Sequence, residues 1–126
     1  MSTSAFLPLK VLYVEDDELA RMIIGRWLQK TVSNIYLGAN GAEGLELFKQ
    51  HEPDIVITDV NMPIMDGREM LRQIKTLKPD IPVIVTTAYE DEDHRAGDDC
   101  IVLVKPVFRE KLIEAIRELS DLPPSE

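Results

Sequence analysis

"DIVITDVNMPIMDG", residues 54–67, decides how this chain is read. Ile55, Val56 and Ile57 follow one another without a polar break, as in a strand buried on both faces. The run ends on a carboxylate, Asp59. A loop with Met62, Pro63 and Met65 follows, and Asp66 with Glu69 has the spacing of a capping box opening a helix. A buried strand that stops on an ionisable residue raises the question of what that residue serves.

Working outward, short apolar runs alternate with helical patterns. Residues 10–14 ("KVLYV") read as the first strand. Leu19, Met22, Ile23 and Trp27 then recur at helical spacing, with Asp17 as N-cap. Residues 35–37 form a short second strand, and Asn40 caps a helix carrying Ala42, Leu45 and Phe48 that stops before Pro53. After the third strand, residues 55–59, comes a helix with Met70, Leu71, Ile74 and Leu77 on its apolar face. Residues 82–86 are the fourth strand and 101–104 the fifth. A last helix shows Leu112, Ile113, Ile116 and Leu119 on one side. Five near-continuous apolar strands separated by helices imply a doubly wound α/β fold, a parallel sheet covered on both faces. Residues 1–120 are expected to form the domain, and residues 121–126 ("DLPPSE") a tail or the start of a linker.

At 126 residues the chain has the size of one domain. Apolar residues make up 44% and charged residues 29%, a globular composition. The formal net charge of −9 argues against direct binding to nucleic acid or an anionic membrane, which clustered Lys and Arg would read. A single cysteine, Cys100, fits a reducing compartment. No signal peptide and no membrane-length apolar run is read, so the expected location is cytoplasmic.

Parallel sheets bind ligands beyond the carboxyl ends of their strands. Strand one ends in Glu15-Asp16-Asp17, strand three in Asp59, strand four in Thr86-Thr87-Ala88 and strand five in Lys105-Pro106. Taken singly, each is ordinary: Asp17 an N-cap, Asp59 a turn residue, Lys105 a surface lysine. Together they are not. If strands one and three are neighbours, Glu15, Asp16 and Asp59 converge, and unit charges ~4 Å apart repel by about 4 kcal/mol at an effective dielectric near 20. Such a cluster holds either protons or a cation. Carboxylate oxygens suit Mg2+, and a lysine and a hydroxyl at the same edge suit an anion. The set describes a phosphoryl-transfer site with Asp59 as nucleophile.

"VLYVEDDE", "DIVITDVNMPIMDG", "PVIVTTA" and "VKP" together resemble the response-regulator receiver domain of two-component signalling, over residues 9–119. The resemblance implies a flavodoxin-like sheet of order 2-1-3-4-5. It implies that Asp59 takes phosphate from a histidine kinase or phosphotransfer protein. It further implies that Glu15, Asp16, Asp59 and the backbone carbonyl of Asn61 hold Mg2+. Thr87 is the hydroxyl that closes on the phosphoryl group, and Lys105, before a cis bond to Pro106, pairs with its oxygens. Asn61 and Tyr89 are the positions that tune phosphate lifetime. A downstream effector domain or protein would read the state. The implied role is a signalling module that assists its own Asp phosphorylation, not a metabolic enzyme. The alternative is a pseudo-receiver, an interaction module of the same fold that phosphorylation does not switch. A Mg2+ phosphatase is disfavoured by Asn61, where an Asp acid/base would stand, and a flavin carrier by the acids after strand one.

Two departures stand out. "AYEDEDHRAGDDC", residues 88–100, has six acids among residues 90–99 and no apolar stripe. The helix between strands four and five is therefore expected to be missing, shortened or disordered. Val102 stands where the family usually has an aromatic that moves with the threonine, so this switch position is altered. Any homodimer is expected to use an atypical face.

Overall fold

A computed structural model describes residues 7–120. Its elements run β1 Leu7–Val14, α1 Glu18–Gln29, β2 Val32–Gly38, α2 Gly41–His51, β3 Ile55–Asp59, α3 Gly67–Leu77, β4 Val83–Thr87, β5 His94–Gly97, β6 Cys100–Val104 and α4 Arg109–Ser120. The sheet order is β2-β1-β3-β4-β6-β5. The first five strands of that order are parallel, and β5 joins the edge antiparallel to β6. With β6 as the family's fifth strand, the core is the flavodoxin-like receiver order the sequence implies. Residues 121–126 lie outside the described chain.

Strand parity builds two cores. Val11, Tyr13, Ile55, Ile57, Ile84, Ile101 and Leu103 face α1 and α4. Leu12, Val14, Val56 and Val83 face α2 and α3, where Phe48, Met70 and Ile74 cover them. Burying each such aliphatic side chain stabilises the fold by roughly 1.5–3 kcal/mol. Asn40 caps α2 as expected: its Oδ1 accepts the Glu43 amide at 2.9 Å, while Glu43 accepts the Ala39 amide at 2.7 Å. Asp66 caps α3 through the Glu69 amide at 2.9 Å. The return half of that box is absent, because the Glu69 carboxylate turns to Arg72 and Gln73.

Several expectations need correction. Asp17 holds the N-cap position of α1 but makes no side-chain cap bond. The stripe Leu19, Met22 and Ile23 faces solvent, with Leu19 60% exposed; Gly25 and Leu28 are the buried residues of α1. Ala42 is exposed too. The sheet has six strands rather than five, and is not wholly parallel. The absence of a helix between β4 and β6, by contrast, was expected. Thirteen residues are near the minimum for a helical crossover, and these offer a helix nothing to bury. The chain instead crosses the end of β6, runs back along its outer edge as β5, and turns through Asp98-Asp99 into β6. The segment is thus a hairpin strand rather than a shortened helix.

Candidate functional site

Register brings the predicted residues together. Val14 lies beside Thr58, so Glu15 and Asp59 are level one step on; Asp59 lies beside Thr86, and Thr87 beside Val104. Glu15, Asp59 and Lys105 continue the parity of Tyr13, Ile57 and Leu103, so all three emerge on the α1–α4 side. Carboxylate oxygens of Glu15, Asp16 and Asp59 lie within 4.8 Å of one another.

Lys105 stands between two of these acids. Its Nζ donates to Asp59 Oδ2 at 2.8 Å and lies 3.6 Å from Glu15 Oε1. Its backbone amide donates to the Thr87 carbonyl at 2.8 Å, and the Lys105–Pro106 bond is cis. Burial works against the ammonium, but its hydrogen bond to Asp59 and the charges of Glu15 and Asp59 outweigh it and hold its pKa above the ordinary value. Glu15 is only 2% exposed. Burial raises its pKa, against the lowering effects of the Asp17 amide and Lys105, and the charges of Asp59 and Asp16 push it further up. One lysine thus pairs with the two buried members of a cluster of three acids, the third, Asp16, being exposed. That donor set, oxygen-only and rich in negative charge, fits a hard divalent cation.

Asp59 Oδ1 accepts its neighbour's amide, Val60, at 2.7 Å. The loop after it is closed by the Gly67 amide donating to the Val60 carbonyl at 2.8 Å, and a side chain at Gly67 would collide with the Asp59 carbonyl. Thr87 is buried at the same edge, and its Oγ accepts the Tyr89 amide at 3.1 Å. Thr86, of opposite parity, reaches the Thr58 carbonyl at 3.5 Å instead. Asn61, Thr87, Tyr89 and Val102 all line one cavity of about 590 Å³ with Asp59. Tyr89 is 79% exposed where it lines that cavity.

Sequence reasoning missed three supports. The Tyr13 hydroxyl donates to Glu15 Oε1 at 3.5 Å, and burial with the nearby Glu15 charge drives its pKa up. Their spacing of two on one strand was the available signal. Arg21 Nη1 donates to the Glu15 carbonyl at 2.7 Å. Asp93 accepts the Val104 amide at 2.8 Å and pairs with Lys111 at 3.1 Å, tying the hairpin to β6 and α4. No local pattern announces the last two.

Fold and site together define a doubly wound α/β domain with an acidic pocket at the carboxyl edge of its central strands. The chain belongs to the response regulator receiver domain family, whose sequence profile matches residues 11–117. It is a receiver of two-component signalling, a signalling module. It is 35% identical over 118 residues to the response regulator MprA of Mycobacterium sp. strain KMS, covering 90% of this chain and 51% of that protein. The chain therefore spans about half the length of the curated relatives it matches. Among solved structures, it resembles the N-terminal domain of an uncharacterized protein from Wolinella succinogenes, with TM-score 0.77 and 31% identity, covering 90% of this chain and 94% of that one. It also resembles CheY in the CheX–CheY–BeF3–Mg complex from Borrelia burgdorferi, with TM-score 0.78 and 26% identity, covering 90% of each. No helix among the described residues is long and apolar enough to cross a membrane.

Proposed function

We propose that this receiver accepts a phosphoryl group from a partner's phosphohistidine onto Asp59 and that the product changes its affinity for an output partner. The observation that carries the reading is Lys105 Nζ held at 2.8 Å from Asp59 and 3.6 Å from Glu15, within a three-carboxylate cluster. An Asp59 oxygen attacks phosphorus, the P–N bond to imidazole breaks, the imidazole keeps the electron pair, and an acyl phosphate forms. Glu15, Asp16, Asp59 and the Asn61 carbonyl would hold Mg2+, which supplies positive charge toward the phosphoryl oxygens. Lys105 leaves the Asp59 carboxylate for a phosphoryl oxygen, and Thr87 gives up the Tyr89 amide to donate its hydroxyl there. Asn61 and Tyr89 border the approach of water and set the lifetime of the product.

The kinase or phosphotransfer domain has a surface to meet. Leu19, Met22 and Ile23 form one exposed stripe of α1, and Ile23 lines a small cavity with Glu15, Lys105 and Pro106. Exposed apolar side chains beside a reaction site suit transient docking. Acetyl phosphate with Mg2+ is expected to add one phosphoryl group to the native chain, read as an intact-mass increase, and none to Asp59→Asn. Labelling that survives in a folded Asp59→Asn variant overturns the assignment.

A further inference from the structure

Two helices cover each face of the sheet. α1 and α4 lie on one face, and α2 and α3 on the other. With a hairpin between β4 and β6 in place of a helix, the cavity of about 590 Å³ opens between α3 and the hairpin. Val85, Val102 and Leu71 give it an apolar floor, the largely exposed Tyr89 joins its lining, and Asp59 and Thr87 lie at its edge.

Its walls are unlike in charge. Glu90 lines the groove, Asp91 and Glu92 follow it in the hairpin segment, and among the described residues none of the three pairs with a cation. On α3, Arg72 is taken by Glu69, and Lys75 by the Ile81 carbonyl and Asp99. Arg68 and His94 are the basic side chains of the lining. The groove thus joins an apolar floor to a rim of three consecutive acids, Glu90 to Glu92. A second copy would bring two such rims together, against their mutual repulsion. The β5 edge is four residues long and carries His94 and Arg95, features that resist strand pairing. Residues 121–126, "DLPPSE", bring two more carboxylates and two prolines, the wrong charge and no helix former's pattern.

We propose that this groove seats a basic amphipathic helix of a partner protein. The helix would lay its apolar stripe on Leu71, Val85, Val102 and Tyr89, and turn lysines or arginines toward residues 90–92. The groove stands independently of whether Asp59 takes a phosphoryl group.

The probe is a synthetic end-capped helix of about 16 residues, with leucines at helical spacing and lysines along one flank. It is expected to bind the unphosphorylated chain, to shift the amide resonances of Leu71, Val85 and Val102, and to weaken as salt rises. Affinity should fall about tenfold in the triple variant Glu90→Gln, Asp91→Asn, Glu92→Gln, a loss of about 1.4 kcal/mol. Binding should vanish in Leu71→Lys, and with a peptide carrying glutamates for lysines. Equal binding by the triple variant, equal binding by a scrambled peptide, or shifts confined to Leu19, Met22 and Ile23 would each overturn the proposal. Acetyl phosphate labelling of the same variants separates the two readings. In the native chain, no peptide binding with intact labelling condemns the groove alone, and peptide binding without labelling condemns the phosphoacceptor alone.

Discussion

At the scale of single residues, the pocket is a standing electrostatic conflict. Glu15, Asp16 and Asp59 sit within reach of one ion, and Lys105 alone among the described residues bridges any of them to a positive charge. A cation that binds only the folded cluster must therefore stabilise the fold. At tenfold excess over its dissociation constant the gain is ~1.4 kcal/mol. Mg2+ is expected to raise the thermal midpoint of the native chain by a few degrees in calorimetry. Asp16→Asn, which removes an exposed ligand and no core packing, should lose most of that rise while folding normally. An equal Mg2+ response in the variant would exclude Asp16 from the ion's ligands. These residues were legible in the sequence because each directly follows an apolar run, so strand order alone brings them together. Arg21, which holds the Glu15 carbonyl, was not, because a helix arginine carries no mark of its partner, while Tyr13 offered only its spacing of two from Glu15.

At the scale of elements, the five parallel strands were readable from apolar runs and the helices from period and caps. β5 was not. His94–Gly97 is exposed at every position and has no apolar alternation, so only backbone pairing with β6 makes it a strand. The α1 stripe was misread for a different reason: periodicity shows that a stripe exists, not that this chain covers it. What holds β5 in place is Asp93, through the Val104 amide at 2.8 Å and Lys111 at 3.1 Å. The hydrogen bond from Val104 is the largest cause of the lowered Asp93 pKa, with Lys111 adding to it. A carboxyl lowered in the fold stabilises it fully above the ordinary value of 3.8, and that contribution is lost as pH falls through the lowered value. Asp93→Ala should remove about 1 kcal/mol, a typical net hydrogen-bond contribution, and speed hydrogen exchange of the Val104 amide roughly tenfold at neutral pH. The acid limb of the unfolding curve between pH 5 and pH 2, about the carboxylate range, should flatten in the variant. Unchanged exchange at Val104 would mean that the hairpin is held by its strand pairing alone.

At the scale of the whole molecule, the site and the hairpin form one connected path. Thr87 Oγ holds the Tyr89 amide, the Lys105 amide holds the Thr87 carbonyl, and Asp93 holds the Val104 amide beside Lys105. The aromatic ring that moves with the threonine in many receivers has no counterpart here, since Val102 occupies its place. A Thr87 side chain that turns toward a phosphoryl group and lets the Tyr89 amide go would free one tie of residues 88–93 to the core, leaving those that Asp93 makes to the Val104 amide and Lys111. If Asp59 is phosphorylated as proposed, the readout would be a shift in the population of hairpin positions rather than a ring flip. Beryllofluoride with Mg2+, a stable stand-in for the phosphoryl group, is expected to move the amide resonances of Thr87, Tyr89, His94 and Val104, and to leave α2 and β2 in place. Shifts confined to Val60 and Asn61 would show a filled site with no transmission. The chain would then act as an unswitched interaction module of the same fold. In Asp93→Ala the hairpin shifts should shrink while those at Thr87 persist, because the ties at Asp93 that carry the motion from Tyr89 to β6 have been cut.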